Sequence, residues 1–125
     1  MTEADKKKIA AVMEKHGVSV GYLFGSAARG TMGPHSDVDV AVLFNEDETS
    51  PKRQLDRRIE ISMELAEACG VTADVIDLAT ASDPLIKYIA VFSGELIFEK
   101  DSSKRFALER NIVRQYEDTR ELRRI

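Results

Sequence analysis

Two apolar runs separated by a turn-rich stretch, "YLFGSAARGTMGPHSDVDVAVLF" from Tyr22 to Phe44, limit the folds open to this chain. The first run, Val18 to Phe24, has strand alternation, with Val18, Val20, Tyr22 and Phe24 on one side. Gly25-Ser26 ends it, and Gly33-Pro34 marks a loop over Thr31 to Ser36. The second run, Asp37 to Phe44, opens with two carboxylates one residue apart. Side chains alternate across a strand, so Asp37 and Asp39 share one face and Val38, Val40, Val42 and Phe44 take the core face. The short connection favours an antiparallel pair over a long crossover. Gly25-Ser26 and the two aspartates then meet at one edge of a sheet.

The rest of the chain supplies the elements for such a sheet. Thr2, with Asp5 in the first turn, caps a helix whose Ile9, Val12, Met13 and His16 share a face and which Gly17 stops. Lys52 to Ala68 reads as a helix with Leu55, Ile59, Ser62, Met63 and Ala66 along its inward stripe, stopped by Gly70. Val71 to Leu78 is a third strand, and the helix before it makes it a parallel crossover partner of the second. Ser82-Asp83-Pro84 starts a helix that ends near Gly94. Glu95 to Glu99 is a short edge strand, and a final helix over about 102–122 turns Phe106, Val113 and Tyr116 inward. The expected fold class is α/β (α+β): one mixed sheet of four to five strands packed against helices. The 125 residues form one domain, with a core over about 18–101.

Composition excludes several function classes. Hydrophobic residues at 43% and charged residues at 32% suit a soluble globular protein, and no apolar segment is long enough to span a membrane. The charged N-terminus lacks a signal peptide's apolar centre, and the single Cys69 allows no internal disulfide, so a cytoplasmic setting is expected. A net charge of −4 argues against direct nucleic-acid binding, although "RQYEDTRELRRI" gathers arginines at the end.

Two adjacent carboxylates repel unless a positive charge lies between them, and a hard divalent cation such as Mg²⁺ answers that need. An isolated D-x-D is a short, common pattern that fits an exposed strand end better than a metal site. Its surroundings shift the balance. Gly25 permits close backbone approach, Ser26 opens a short helix whose free N–H groups suit phosphate, and Arg29 one turn on can clamp a phosphate oxygen. Parallel pairing places Asp74, near the start of its strand, beside Asp39. Asp77 lies about 10 Å further along and on the other face, which makes it a strand-end residue. The outline is that of a nucleoside triphosphate site. His35 reads as an exposed loop residue and His16 as a helix-end residue.

"GSAARGTMGPHSDVDVAV" resembles the signature of the DNA polymerase beta-like nucleotidyltransferase superfamily: G-S, ten residues, then D-x-D. The internal R-G and the S-D before the strand are similar to the small branch called minimal nucleotidyltransferases, or MNT proteins. "TADVIDL" looks like the strand bearing that family's third carboxylate, and "PLIKYIAVFSGELIFEKD" like its following helix, glycine and strand. The resemblance spans about Val18 to Asp101. It implies the nucleotidyltransferase fold and metal-dependent transfer of a nucleoside monophosphate. Gly25 and Ser26 would hold ATP phosphates, Asp37 and Asp39 would bind two Mg²⁺ ions, and Asp74 would hold the metal that activates the acceptor. Ser36 is a supporting nucleotide-binding residue, and Arg29 either does the same or pairs structurally with a carboxylate. MNT proteins of this size are paired with small helical HEPN ribonuclease toxins, which implies an antitoxin that adenylylates a toxin tyrosine. Two other readings stand beside it: an antitoxin that acts by steric binding alone, and a free-standing transferase for a small hydroxyl-bearing substrate. Tyr116 reads as a core-facing residue rather than a target.

Overall fold

The structure, a computed structural model, describes residues 1–25, 38–45 and 51–119. Along these the chain forms α1 (Glu3–Lys15), β1 (Val18–Phe24), β2 (Val38–Phe44), α2 (Pro51–Cys69), β3 (Ala73–Asp77), α3 (Pro84–Phe92), β4 (Glu95–Glu99) and α4 (Ser102–Asp118). The sheet order is β3-β2-β1-β4. β1 runs antiparallel to both β2 and β4, and β2 runs parallel to β3. The mixed sheet and its pairing directions agree with the sequence expectation.

Local chemistry explains the helix limits. Thr2 and Asp5 form a reciprocal capping box: Asp5 N donates to Thr2 Oγ1 at 3.1 Å, and Thr2 N donates to Asp5 Oδ2 at 3.2 Å. Asp83 caps α3 by accepting from Leu85 N at 2.9 Å, with Pro84 in the first turn, where its missing N–H costs nothing. His16 caps the end of α1, as the sequence suggests, and lies between Glu60 and Glu64. Among the described residues, no helix is long and apolar enough to cross a membrane.

Each face of the sheet carries its own core. On one, Ile9, Val12 and Met13 of α1 and Ile61 and Leu65 of α2 pack on Val38, Val40 and Val42. On the other, Ala90 and Val91 of α3 and Ile112 of α4 pack on Val20, Tyr22 and Ala41. Three expectations about facing need correction. Val18 does not share a side with Val20 and Tyr22, because a register shift between Val18 and Val20 turns it onto the α1/α2 face. Ser19 at this shift is buried and donates its hydroxyl to Asn45 Oδ1. The inward residues of α2 are Ile61 and Leu65, whereas Leu55, Ile59 and Met63 are 48%, 50% and 67% exposed. On α4 it is Ile112 that is buried, and Phe106 and Val113 are exposed. Tyr116 is half-buried and stacks on Tyr88 with ring centroids 4.0 Å apart.

Candidate active site

The register of three strands builds the site. Asp39 of β2 is the Cα partner of Phe24 on one side and of Asp74 on the other. Partners in a ladder lie ~4.8 Å apart and project to the same side. Ala41 and Ile76, two residues beyond Asp39 and Asp74, pack in the α3/α4 core, so both carboxylates belong to that face. They stand at the end of that face where β2 and β3 begin, Asp39 half-buried and Asp74 exposed among the described residues. Asp77 is on the α1/α2 side of β3, buried, and accepts from Ala79 N at 2.9 Å to cap the turn after the strand. It is a strand-end residue, away from the pair.

Gly25 closes the end of β1 against Asp39. Its φ is +73°, and a Cβ there would lie 2.5 Å from Asp39 Oδ2. Backbone conformation and available space both call for glycine. Gly94 supports the same end from the neighbouring connection: a Cβ on it would lie 2.7 Å from Leu23 O and 3.0 Å from Phe24 Cβ. The sequence shows Gly94 as a helix stop; its close approach to β1 depends on β4 pairing there, which no local pattern reveals.

The structure therefore brings Gly25, Asp39 and Asp74 together. Asp37, Ser26, Arg29, Ser36 and His35 lie outside the described residues, as does the short helix expected from Ser26. Among the described residues, no group of three His, Cys, Asp or Glu side chains is arranged to hold a metal ion; Asp39 and Asp74 contribute two oxygen-donor groups side by side. Two juxtaposed carboxylates with only oxygen donors fit a hard divalent cation.

Sequence reasoning missed the far side of Asp74. Val38 N donates to Thr72 O and Leu78 N to Val42 O, so the even-numbered backbone groups of β3 face β2. Ala73 and Val75 thus turn their carbonyls outward at the sheet edge. Ser62 Oγ donates to Ala73 O at 2.7 Å, and Arg58 Nε to Val75 O at 3.2 Å. Beside them runs a shallow groove of about 160 Å³ lined by Leu55, Ile59 and Asp74. A cavity of about 300 Å³, lined by Leu78, Lys87 and Ile112, lies toward the opposite ends of β2 and β3.

A mixed sheet whose strand ends gather a positive-φ glycine and carboxylates on adjacent strands defines a nucleotidyltransferase-type protein. The chain belongs to the polymerase beta nucleotidyltransferase family, which it matches over residues 7–103. It is 32% identical over 90 residues to the protein adenylyltransferase MntA of Shewanella oneidensis, a match covering 70% of this chain and 60% of that protein. The chain thus spans less than two thirds of that relative's length. A Methanocaldococcus jannaschii relative is 37% identical over 82 residues, which are 66% of this chain and 82% of that one. A crystal structure of a toxin–antitoxin with AMP-PNP superposes with a TM-score of 0.78 at 25% identity, covering 95% of this chain and 92% of the other. The fold is also shared with a structure of a tri-AMPylated S. oneidensis HEPN toxin in complex with an MNT antitoxin, at a TM-score of 0.75, 22% identity, and 99% and 93% coverage.

Proposed function

We propose that this chain is an antitoxin nucleotidyltransferase that transfers AMP from ATP to a tyrosine hydroxyl of a partner HEPN ribonuclease toxin. The observation that carries this reading is the in-register pairing of Asp39 with Asp74, with Gly25 held against Asp39. A purely steric antitoxin has no need to align two carboxylates and give up a side chain at position 25. The name of the S. oneidensis relative and the AMP-PNP in the similar toxin–antitoxin crystal support the same chemistry.

Gly25 and Ser26 hold the triphosphate, with Arg29 and Ser36 as further contacts. Asp37, Asp39 and Asp74 would hold divalent cations, two Mg²⁺ in the full site. When bound, these cations neutralise the carboxylates and the phosphate oxygens and stabilise the entering and leaving oxygens of the displacement. Asp74 accepts a hydrogen bond from the acceptor hydroxyl and draws its proton as the oxygen approaches the α-phosphorus. The new bond is O–P; the bond that breaks joins the α-phosphorus to the bridging oxygen, and pyrophosphate leaves with that electron pair. An adenylylated tyrosine carries new bulk and a negative charge, which oppose RNA at a ribonuclease site.

The test is transfer of label from ATP labelled at the α-phosphorus to the purified partner. Label on a partner tyrosine is expected, and Asp39→Asn and Asp74→Asn should each lower the rate at least ~100-fold, the scale of losing a major electrostatic contact in the transition state. Removing divalent metal with a chelator should have the same result. Full toxin neutralisation by the double Asn variant in cells would establish the steric mechanism instead.

A further inference from the structure

Gly25, Asp39 and Asp74 stand in that order on β1, β2 and β3. In-line displacement requires the attacking and leaving oxygens on opposite sides of phosphorus. With the triphosphate held on the Gly25 side, the acceptor must arrive from beyond Asp74. β3 ends the sheet among the described residues, and the surface that borders Asp74 there, again among the described residues, is the groove between β3 and α2.

Two features of that groove decide what it accepts. The outward carbonyls of Ala73 and Val75 already accept from Ser62 and Arg58, whose side chains lie along the edge where a further strand would have to pair, so side-chain packing is favoured there over sheet extension. Next to them Leu55 and Ile59 line the groove, and Met63, four residues on, continues their line along α2 outside it, each of the three about half exposed or more. Three large apolar side chains in a line, with no return from the core, mark a contact surface. The groove's volume of about 160 Å³ is below the ~300 Å³ at which pockets begin to enclose a small molecule. A free metabolite would be poorly held, whereas an extended protein surface needs no enclosure.

We propose that the Leu55–Ile59–Met63 line is the acceptor-docking surface: an apolar face of the partner protein's hydroxyl-bearing segment packs on it side chain to side chain and delivers the hydroxyl to Asp74. The assignment rests on the AMP-transfer reading above. It makes these three residues determinants of which protein is modified, separate from the groups that hold the nucleotide.

The test uses the full chain, Mg²⁺, α-labelled ATP and the purified cognate HEPN-type partner. Ile59→Asp and Met63→Asp should each raise KM for the partner at least about tenfold, with kcat at saturating partner within about twofold. An unchanged partner KM, or a fall in kcat alone, overturns the docking surface. Thermal melting shows whether the variants are folded. If they are not, a photo-crosslinking amino acid at position 59 replaces them; an adduct with the partner is expected, and its absence overturns the proposal. If the unsubstituted protein labels no partner, the AMP-transfer reading itself fails and the acceptor assignment falls with it. Label found only on a small hydroxyl compound has the same consequence.

Discussion

Gly25 and Asp39 constrain one another. Gly25 has a φ of +73°, and the space that a side chain would take there is filled by the Asp39 carboxylate. Alanine at position 25 meets both obstacles: an L residue in the left-handed region costs about 1–2 kcal/mol, and its Cβ displaces the carboxylate. Gly25→Ala should therefore lower stability by at least ~1 kcal/mol in urea titrations and reduce AMP transfer further than that loss explains. A variant as stable and active as the parent would show that neither constraint matters. The positions of Gly25, Asp39 and Asp74 are legible in the sequence, because strand parity and one crossover suffice to place them, while Asp37 lies outside the described residues. The 2.5 Å approach of a Gly25 Cβ to Asp39 is not legible, since it depends on the turn of the chain after Phe24.

At the level of elements, the strands and helices of the described residues fall where periodicity puts them, and the errors concern which face they present. On α2 the run Leu55, Ile59, Met63 keeps four-residue spacing over one more step than the pair Ile61 and Leu65, yet the pair is buried. Local pattern cannot separate two apolar stripes on one helix. The decision comes from β3, where Ser62 and Arg58 must reach the edge carbonyls and so fix the helix's rotation. β1 fails differently: a register shift after Val18 breaks the period of two, and the hydroxyl–amide contact of Ser19 with Asn45 that accommodates it joins residues remote in sequence. The corrected facing predicts opposite outcomes for two similar truncations. Ile61→Ala removes fully buried methylene and methyl groups and should cost about 2–5 kcal/mol. Met63→Ala, on the exposed line, should stay within ~0.5 kcal/mol. Equal effects in denaturant titrations would return α2 to the orientation its spacing suggests.

Across the whole molecule, one polar cluster ties the central strand to the last strand and last helix. Tyr22 of β1 donates its phenol hydrogen to Glu109 Oε1 of α4 at 2.9 Å. Arg105 bridges Glu109, at 3.2 Å, and Glu99 of β4, at 3.1 Å. Burial, and then the hydrogen bond to Glu109, hold the Tyr22 phenol well above its ordinary value. An unfolded tyrosine titrates near pH ~10. Below that the phenol is neutral in both states and its stabilising effect is complete. Above it the unfolded chain releases a proton that the folded chain retains, so stability falls as pH rises. Other groups titrate in the same range, and Tyr22→Phe separates them, because it removes this ionisation and leaves Glu109 paired with Arg105. The parent should lose more unfolding free energy between pH 8 and about 11 than Tyr22→Phe does, measured by urea titration at both values. Parallel losses in the two proteins would mean that the phenol's environment does not couple to folding, and that the link between the central strand and α4 rests on the apolar contacts of Tyr22 alone.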